Sequence, residues 1–100
     1  MQSGYKLLWS DRAHEDLKGI IDYLSRNWTQ KEIKKFAARL EKRLGIITMN
    51  PSLYPSTKKK KNVRRSVLTK QTIIYYQVTE DAITVLTLFH ARRNPSKLKL

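Results

Sequence analysis

The spacing of the hydrophobic residues changes halfway along this 100-residue chain, and that change limits the folds open to it. Before Asn50 the apolar residues recur every three or four positions, which is the period of an amphipathic helix. After Asn62 they alternate or form short apolar runs, which is typical of strands. Because the two patterns occupy separate halves, the sequence predicts an α+β fold.

Polar residues mark the ends of two helices in the first half. A short strand, residues 5–9, precedes Ser10, whose hydroxyl can accept hydrogen bonds from the first N–H groups of a helix. Thr29 and Glu32 form a capping-box pattern that starts a second helix, and Asn50–Pro51 ends it because the residue before a proline disfavours helical conformation. A connection of about four residues between the helices predicts an antiparallel hairpin.

The second half predicts three strands joined by short turns. After a loop at residues 51–62, the strands cover residues 63–68, 72–78 and 82–89. Consecutive strands with short turns form an antiparallel meander. The expected order is therefore β-α-α-β-β-β, with the helical hairpin packed on one face of an antiparallel sheet and residues 1–100 in one domain. The other face of the sheet is left available for function.

The chain has enough apolar residues to form a hydrophobic core. A domain of this length buries about two-thirds of the surface that its unfolded chain exposes. With 40% hydrophobic residues, the composition is too apolar for intrinsic disorder. Six aromatic residues are expected to anchor the core: Trp9, Trp28, Phe36, Tyr75, Tyr76 and Phe89.

Several classes of protein are excluded by what the sequence lacks. The chain has no cysteine, which excludes disulfides, thiolate chemistry and cysteine-bound zinc. Its two histidines, His14 and His90, are far apart in sequence, so a histidine-bound metal site is not expected. No cofactor is expected either. No segment approaches the roughly 20 apolar residues of a membrane span, and the N-terminus does not resemble a signal peptide, so a cytoplasmic location is expected. Motifs of phosphate-binding loops, zinc proteases and serine hydrolases are also missing.

Positive charge is concentrated in the second half. The formal net charge is +13, and residues 1–50 carry 10 basic and 6 acidic side chains, whereas residues 51–100 carry 11 and 2. Much of the excess lies in the lysine run at 58–61 and in Arg64–Arg65. Such a field attracts polyanions, so nucleic acid, the ribosome or an acidic protein is the expected partner. The alternative is that the lysine run only solvates a loop.

The candidate functional residues are cationic: Arg64, Arg65, His90, Arg92 and Arg93. Arginine suits bidentate recognition of phosphate, and histidine suits proton transfer near neutral pH. Alternation along the strand sends Arg64 and Arg65 to opposite faces of the sheet. In a three-stranded meander, the start of the first strand and the end of the third lie toward opposite ends, which works against one site containing both Arg64 and His90.

Short motifs in a characteristic order run along almost the whole chain. W-S-x-x-A-x-x-D-L spans residues 9–17, N-P-x-x-Y-P spans residues 50–55, and F-H-x-R-R-N-P spans residues 89–95. With the arginines before the TIIYYQV strand, this order resembles the RelE/ParE superfamily of toxins from bacterial type II toxin–antitoxin systems, and it is closer to the ParE side. The resemblance covers residues 5–98 and implies the fold predicted above.

The resemblance implies a plasmid- or chromosome-encoded toxin that inhibits bacterial growth. A cognate antitoxin would neutralise it, and the two can form a hetero-oligomer. ParE-like members of the superfamily poison DNA gyrase, and gyrase is the favoured target here. The residues expected to bind the target are Arg64, Arg65, Arg92, Arg93, Lys60 and Lys61.

The resemblance also implies an alternative, a ribosome-dependent endoribonuclease of the RelE type that uses no metal. Attack by the RNA 2′-hydroxyl needs a base, an acid and cations that stabilise the developing charge. The catalytic residues in that case are His90, Arg64 and Arg92. An arginine of the ribonucleases falls at Ile73 in this chain and a tyrosine falls near Leu98, so aliphatic residues replace two of the expected groups. The W-S-x-x-A-x-x-D-L opening, the helix lengths and the R-R-N-P ending resemble the ParE side more closely. A third interpretation is a basic nucleic-acid-binding module without toxicity.

Overall fold

The computed structural model describes residues 5–58, 60 and 62–90. In chain order its elements are β1 (Lys6–Trp9), α1 (Asp11–Asn27), α2 (Gln30–Met49), a 3-10 turn (Pro51–Leu53), β2 (Val63–Val67), β3 (Thr72–Val78) and β4 (Ala82–His90). The predicted α+β class and the order β-α-α-β-β-β are confirmed. In the described part of the chain, no helix combines the length and apolar character needed to cross a membrane.

The helices begin at the capping residues that the sequence indicates. Ser10 Oγ accepts a hydrogen bond from the Ala13 N–H at 2.9 Å, and Thr29 Oγ1 accepts one from the Glu32 N–H at 3.4 Å. Each bond satisfies a donor that the first turn of a helix leaves without an intrahelical partner. Residues 28–29 alone separate α1 from α2, a shorter connection than expected, and the two helices contact each other as a hairpin.

The four strands are ordered β1-β4-β3-β2. The pairs β2–β3 and β3–β4 are antiparallel, as the meander pattern predicts. By contrast β1 pairs with β4 in parallel, so the sheet is mixed rather than wholly antiparallel. The chain leaves β1 into the helical hairpin and returns to the sheet only afterwards, and parallel pairing needs such a crossover.

A bulge in β4 joins α1 to the sheet. Tyr75 pairs with Thr87 while Tyr76 pairs with Val85, so Leu86 is the extra residue. The Ser10 hydroxyl donates to the Leu86 carbonyl at 2.8 Å. The Asp16 carboxylate accepts from the Thr87 hydroxyl and, at 3.1 Å, from the Leu88 N–H. Because β1 ends opposite Val85, the following groups of β4 lie beyond the β1–β4 ladder, and Ser10 and Asp16 bond to them and hold α1 on β4.

The core lies between the helical hairpin and one face of the sheet. Its buried members are Ala13, Ile20, Leu40, Leu44, Ile47, Leu68, Ile74, Tyr76, Ile83, Val85 and Leu88. Of the six expected aromatic anchors, Tyr75 and Tyr76 are buried, Trp9 and Phe36 pack against the core while partly exposed, and Phe89 is half-buried. The expectation for Trp28 is wrong, because its side chain is 53% exposed. Trp28 follows the last residue of α1, in the two-residue connection between α1 and α2.

Candidate functional site

The strand register separates Arg64 from His90. Arg64 pairs with Tyr76 on β3, whereas His90 pairs with Thr72 on the same strand. Tyr76 and Thr72 are four positions apart on β3, which is roughly 13 Å at 3.3 Å per residue. The structure therefore does not bring these two residues of the predicted ribonuclease set onto one phosphate. Below, the Tyr76 end of β3 is called the loop end and the Thr72 end is called the cavity end.

At the loop end, Arg64 holds the loop before β2. Its guanidinium donates to the Tyr54 carbonyl at 2.6 Å, and the side chain is half-buried. The same loop is attached to β2 by backbone bonds, since the Arg65 N–H donates to the Pro55 carbonyl at 3.0 Å and the Thr57 N–H donates to the Val63 carbonyl at 2.8 Å. Arg64 is therefore engaged in an internal charge-assisted hydrogen bond.

Arg43 joins α2 both to the later part of β2 and to the loop before β2. Its guanidinium donates to the Ser66 hydroxyl and to the Val67 carbonyl, each at 2.8 Å. It also lies 5.5 Å from the centre of the Tyr54 ring, within the range of a cation–π contact. Arg43 was not among the predicted site residues, because nothing local to α2 shows that β2 passes beside it.

Tyr76 completes the loop end from the middle of the sheet. Its hydroxyl donates to the Pro51 carbonyl at 2.9 Å, and the residue is fully buried. Burial raises the pKa of Tyr76 to about 12, although the positive charge of Arg64 opposes the rise. The phenol is therefore protonated at neutral pH, and it acts as a hydrogen-bond donor that anchors the turn after α2.

The other predicted target-binding residues fall into two groups. Arg65 is exposed and lies on the face of β2 opposite Arg64, as strand alternation predicts, and Lys60 is exposed in the preceding loop. Lys61, Arg92 and Arg93 lie outside the described residues. The part of the predicted target surface that the structure describes thus consists of exposed Arg65 and Lys60 and half-buried Arg64.

At the cavity end, His90 faces the helices. The side chain is buried, its Nδ1 lies 2.9 Å from the Thr72 hydroxyl, and its ring centre lies 5.4 Å from that of Tyr23 on α1. The ring borders a cavity of about 290 Å³ between the two helices and the β2–β3 turn. The cavity is lined by Ile20, Tyr23, Leu24, Trp28, Glu32, Lys35, Phe36, Arg39, Thr69, Gln71, Thr72 and His90.

The cavity combines an apolar wall with a basic rim. The wall comes from aliphatic and aromatic side chains of α1 and from Phe36. Lys35 and Arg39 are exposed and four residues apart on α2, so they lie on one face of that helix. Lys35 and Arg39 were not among the predicted site residues, although α2 carries six basic and two acidic residues. Among the described residues, no cluster of histidine and acidic side chains is suited to hold a metal ion.

The comparison with known sequences finds one family over most of the chain. A family profile described as the ParE toxin of the type II toxin–antitoxin system parDE matches residues 7–95. No curated protein sequence matches the chain.

Solved toxin structures share the fold. The chromosomal ParDE toxin–antitoxin system from P. aeruginosa superposes with a TM-score of 0.74 at 15% identity, covering 89% of this chain and 98% of that one. The E. coli DinJ–YafQ toxin–antitoxin complex gives 0.64 at 12% identity, covering 91% and 97%. The YoeB dimer from Staphylococcus aureus gives 0.58 at 20% identity, covering 86% and 95%. At these identities the likeness concerns the fold alone.

Proposed function

The chain belongs to the ParE toxin family of type II toxin–antitoxin systems, and from that premise we propose that it inhibits bacterial growth by binding DNA gyrase. The observation that carries the choice of binding over RNA cleavage is the strand register. Arg64 on β2 and His90 on β4 pair with opposite ends of β3, and each side chain is hydrogen-bonded inside the protein. Cleavage by a 2′-hydroxyl needs its acid, base and cations around one phosphate.

The proposed contact surface is the exposed cationic part of the second half. Arg65 and Lys60 are exposed, and Lys58 is exposed two residues before Lys60. We assign the same role to Arg92, Arg93 and Lys61 on sequence grounds. Exposed cations of this kind accelerate encounter with a negatively charged target and lose strength as salt increases.

The proposed partner is a cognate antitoxin. Both the P. aeruginosa ParDE system and the E. coli DinJ–YafQ complex pair a toxin with an antitoxin on this fold. By analogy, an antitoxin would neutralise this chain, and an acidic protein suits its net charge of +13. Coexpression should then restore the growth that the toxin alone arrests.

Two assays on the purified chain test the target. We expect inhibition of gyrase supercoiling and no ribosome-dependent cuts in a primer-extension assay of translated mRNA. Arg65→Ala should weaken the inhibition, while Lys18→Ala, which removes an exposed charge from α1, serves as the matched control and should not.

The opposite result has a clear signature. Ribosome-dependent mRNA cuts that disappear in His90→Ala, together with unchanged supercoiling, would establish the endoribonuclease instead. Normal growth on induction of the chain, with neither activity in vitro, would leave a basic nucleic-acid-binding module as the remaining interpretation.

A further inference from the structure

The cavity at the cavity end has no role in the proposed binding of gyrase. It opens on the helical side of the sheet, whereas Arg65 lies on the face of β2 opposite Arg64. It is built from α1, α2, the β2–β3 turn and the last residue of β4, so four separate segments converge on it. The proposed function therefore does not explain why these side chains line the cavity.

The size of the cavity limits what can occupy it. A volume of about 290 Å³ is close to the lower end of small-molecule sites, which start near 300 Å³. A protein partner buries about 800 Å² on each side, an area that a pocket of this size does not supply by itself. The dimensions favour a ligand about as large as one nucleotide.

The aromatic side chains supply flat surfaces for a ring. Tyr23, Trp28 and Phe36 line the cavity together with the His90 imidazole. Trp28 is 53% exposed at the junction of the helices, an uncommon position for the largest apolar side chain. Base stacking on exposed aromatic rings is a main source of affinity in nucleotide recognition and tolerates any base.

The rim supplies positive charge beside those rings. Lys35 and Arg39 lie one helical turn apart on α2, about 6 Å along its axis at 1.5 Å per residue. Two such cations can share one phosphate, and arginine does so with two parallel hydrogen bonds. Glu32 also lines the cavity, and its carboxylate opposes an anion there.

The β2–β3 turn supplies polar groups. Thr69 Oγ1 accepts from the N–H groups of Gln71 and Thr72, which fixes the shape of the turn. The Thr72 hydroxyl and His90 Nδ1 form a buried polar pair at 2.9 Å. The Gln71 amide, which lines the cavity, can donate to and accept from the edge of a base.

We propose that this cavity binds a nucleotide, with the base between the aromatic side chains and the phosphate between Lys35 and Arg39. The ligand is either a free nucleoside monophosphate or one nucleotide of a single strand, because both present the same base and phosphate. The site is separate from the proposed gyrase surface, so nucleotide binding can be tested independently of gyrase inhibition.

Calorimetric titration of the full chain tests the proposal, with AMP in one arm and an eight-residue oligoadenylate in the other. If AMP binds saturably and about as tightly as the oligoadenylate, the ligand is a free nucleotide. If the oligoadenylate binds much more tightly than AMP, the ligand is a nucleotide of a single strand. Quenching of Trp28 fluorescence in the Trp9→Phe background gives a second readout at the cavity itself, since the chain has two tryptophans.

Charge variants separate a specific site from general attraction of anions. Lys35→Gln and Arg39→Gln should each weaken binding by about tenfold, because a charge-assisted hydrogen bond to phosphate is lost. Lys34→Gln is the matched control, since Lys34 is exposed on the same helix, loses the same charge and does not line the cavity. Glu32→Gln should tighten binding, because it removes the opposing carboxylate.

Three results would overturn the proposal. The first is no saturable binding of either AMP or the oligonucleotide. The second is equal weakening by Lys34→Gln and Lys35→Gln, which would indicate only the general field of the protein. The third is quenching of Trp28 by the protein encoded next to the toxin gene but by neither nucleotide probe, which would make the cavity a protein-binding site.

Discussion

The two ends of β3 use similar side chains for opposite purposes. At the loop end, Arg64 and Tyr76 each donate a hydrogen bond to a backbone carbonyl of the protein itself. Farther along β2, Arg43 donates to the Ser66 hydroxyl and the Val67 carbonyl. At the cavity end, Lys35 and Arg39 are exposed beside an opening of about 290 Å³. The difference shows that a cation on this fold is structural where its N–H groups meet carbonyls of a neighbouring segment, and accessible where its side chain is exposed at the rim of the cavity. The identity of the residue alone does not decide between the two.

The largest expected effect is at the loop end. Tyr76→Ala should lower the free energy of unfolding by about 3–5 kcal/mol, because a fully buried aromatic ring and its bond to Pro51 are both lost. Chemical denaturation followed by circular dichroism measures the change. A loss below about 1 kcal/mol would contradict a structural role for Tyr76 at the loop end.

The next effect distinguishes a structural arginine from an accessible one. Arg64→Ala should cost about 1–3 kcal/mol, since it leaves the Tyr54 carbonyl without its charged donor, whereas Arg65→Ala should change stability by less than about 0.5 kcal/mol. Thermal unfolding of both variants provides the measurement. Equal losses would contradict the separation of roles between the two faces of β2.

The pH dependence of stability provides a third test. Burial raises the pKa of Tyr76 to about 12, above its ordinary value of 10.0. The contribution of the protonated phenol to the free energy of unfolding is therefore fully present below pH 10 and is lost as the pH rises toward 12. Over that window the unfolding free energy of the wild type should fall more steeply than that of Tyr76→Phe, by at most about 1.4 kcal/mol per pH unit. Parallel curves from pH 9 to 12 would show that Tyr76 is not shielded from water.

The smallest effect on stability is expected at the cavity end. Trp28→Ala should change the free energy of unfolding by about 0.5 kcal/mol or less, because the side chain is half exposed and the backbone bond from the Trp28 N–H to Leu24 remains. The same denaturation experiment serves as the measurement. A cost as large as that of Tyr76→Ala would place Trp28 in the structural core and remove the contrast between the two ends.

Much of the fold could be predicted because its signals are local. Ser10 and Thr29 cap helices through bonds to N–H groups three residues away, and this spacing is visible in the sequence. The alternation that puts Arg64 and Arg65 on opposite faces likewise follows from the geometry of a single strand. The opposite placement of Arg64 and His90 was also foreseeable, because it follows from the order of the strands in a meander.

The cavity could not be predicted by the same means. Its rim lies on α2 and its other polar groups lie on the β2–β3 turn, more than twenty residues later in the chain. A basic stripe on a helix usually indicates only an exposed face. From the sequence alone, Trp28 is expected to be a core residue. The sequence does show that Lys35 and Arg39 have i, i+4 spacing and that Phe36 lies between them. This pattern indicates a binding site only once the structure shows that His90 lines the same cavity.

The sequence by itself determined the type, order and ends of the elements, because hydrophobic period and capping act within one or two turns of the chain. Tertiary structure alone decided that β1 runs parallel to β4, that Leu86 forms a bulge, and that the Arg64 guanidinium donates a hydrogen bond to the Tyr54 carbonyl. The bulge lies against Ser10 and Asp16, more than seventy residues earlier in the chain. Contacts at that separation depend on how whole elements pack, and no local pattern encodes them.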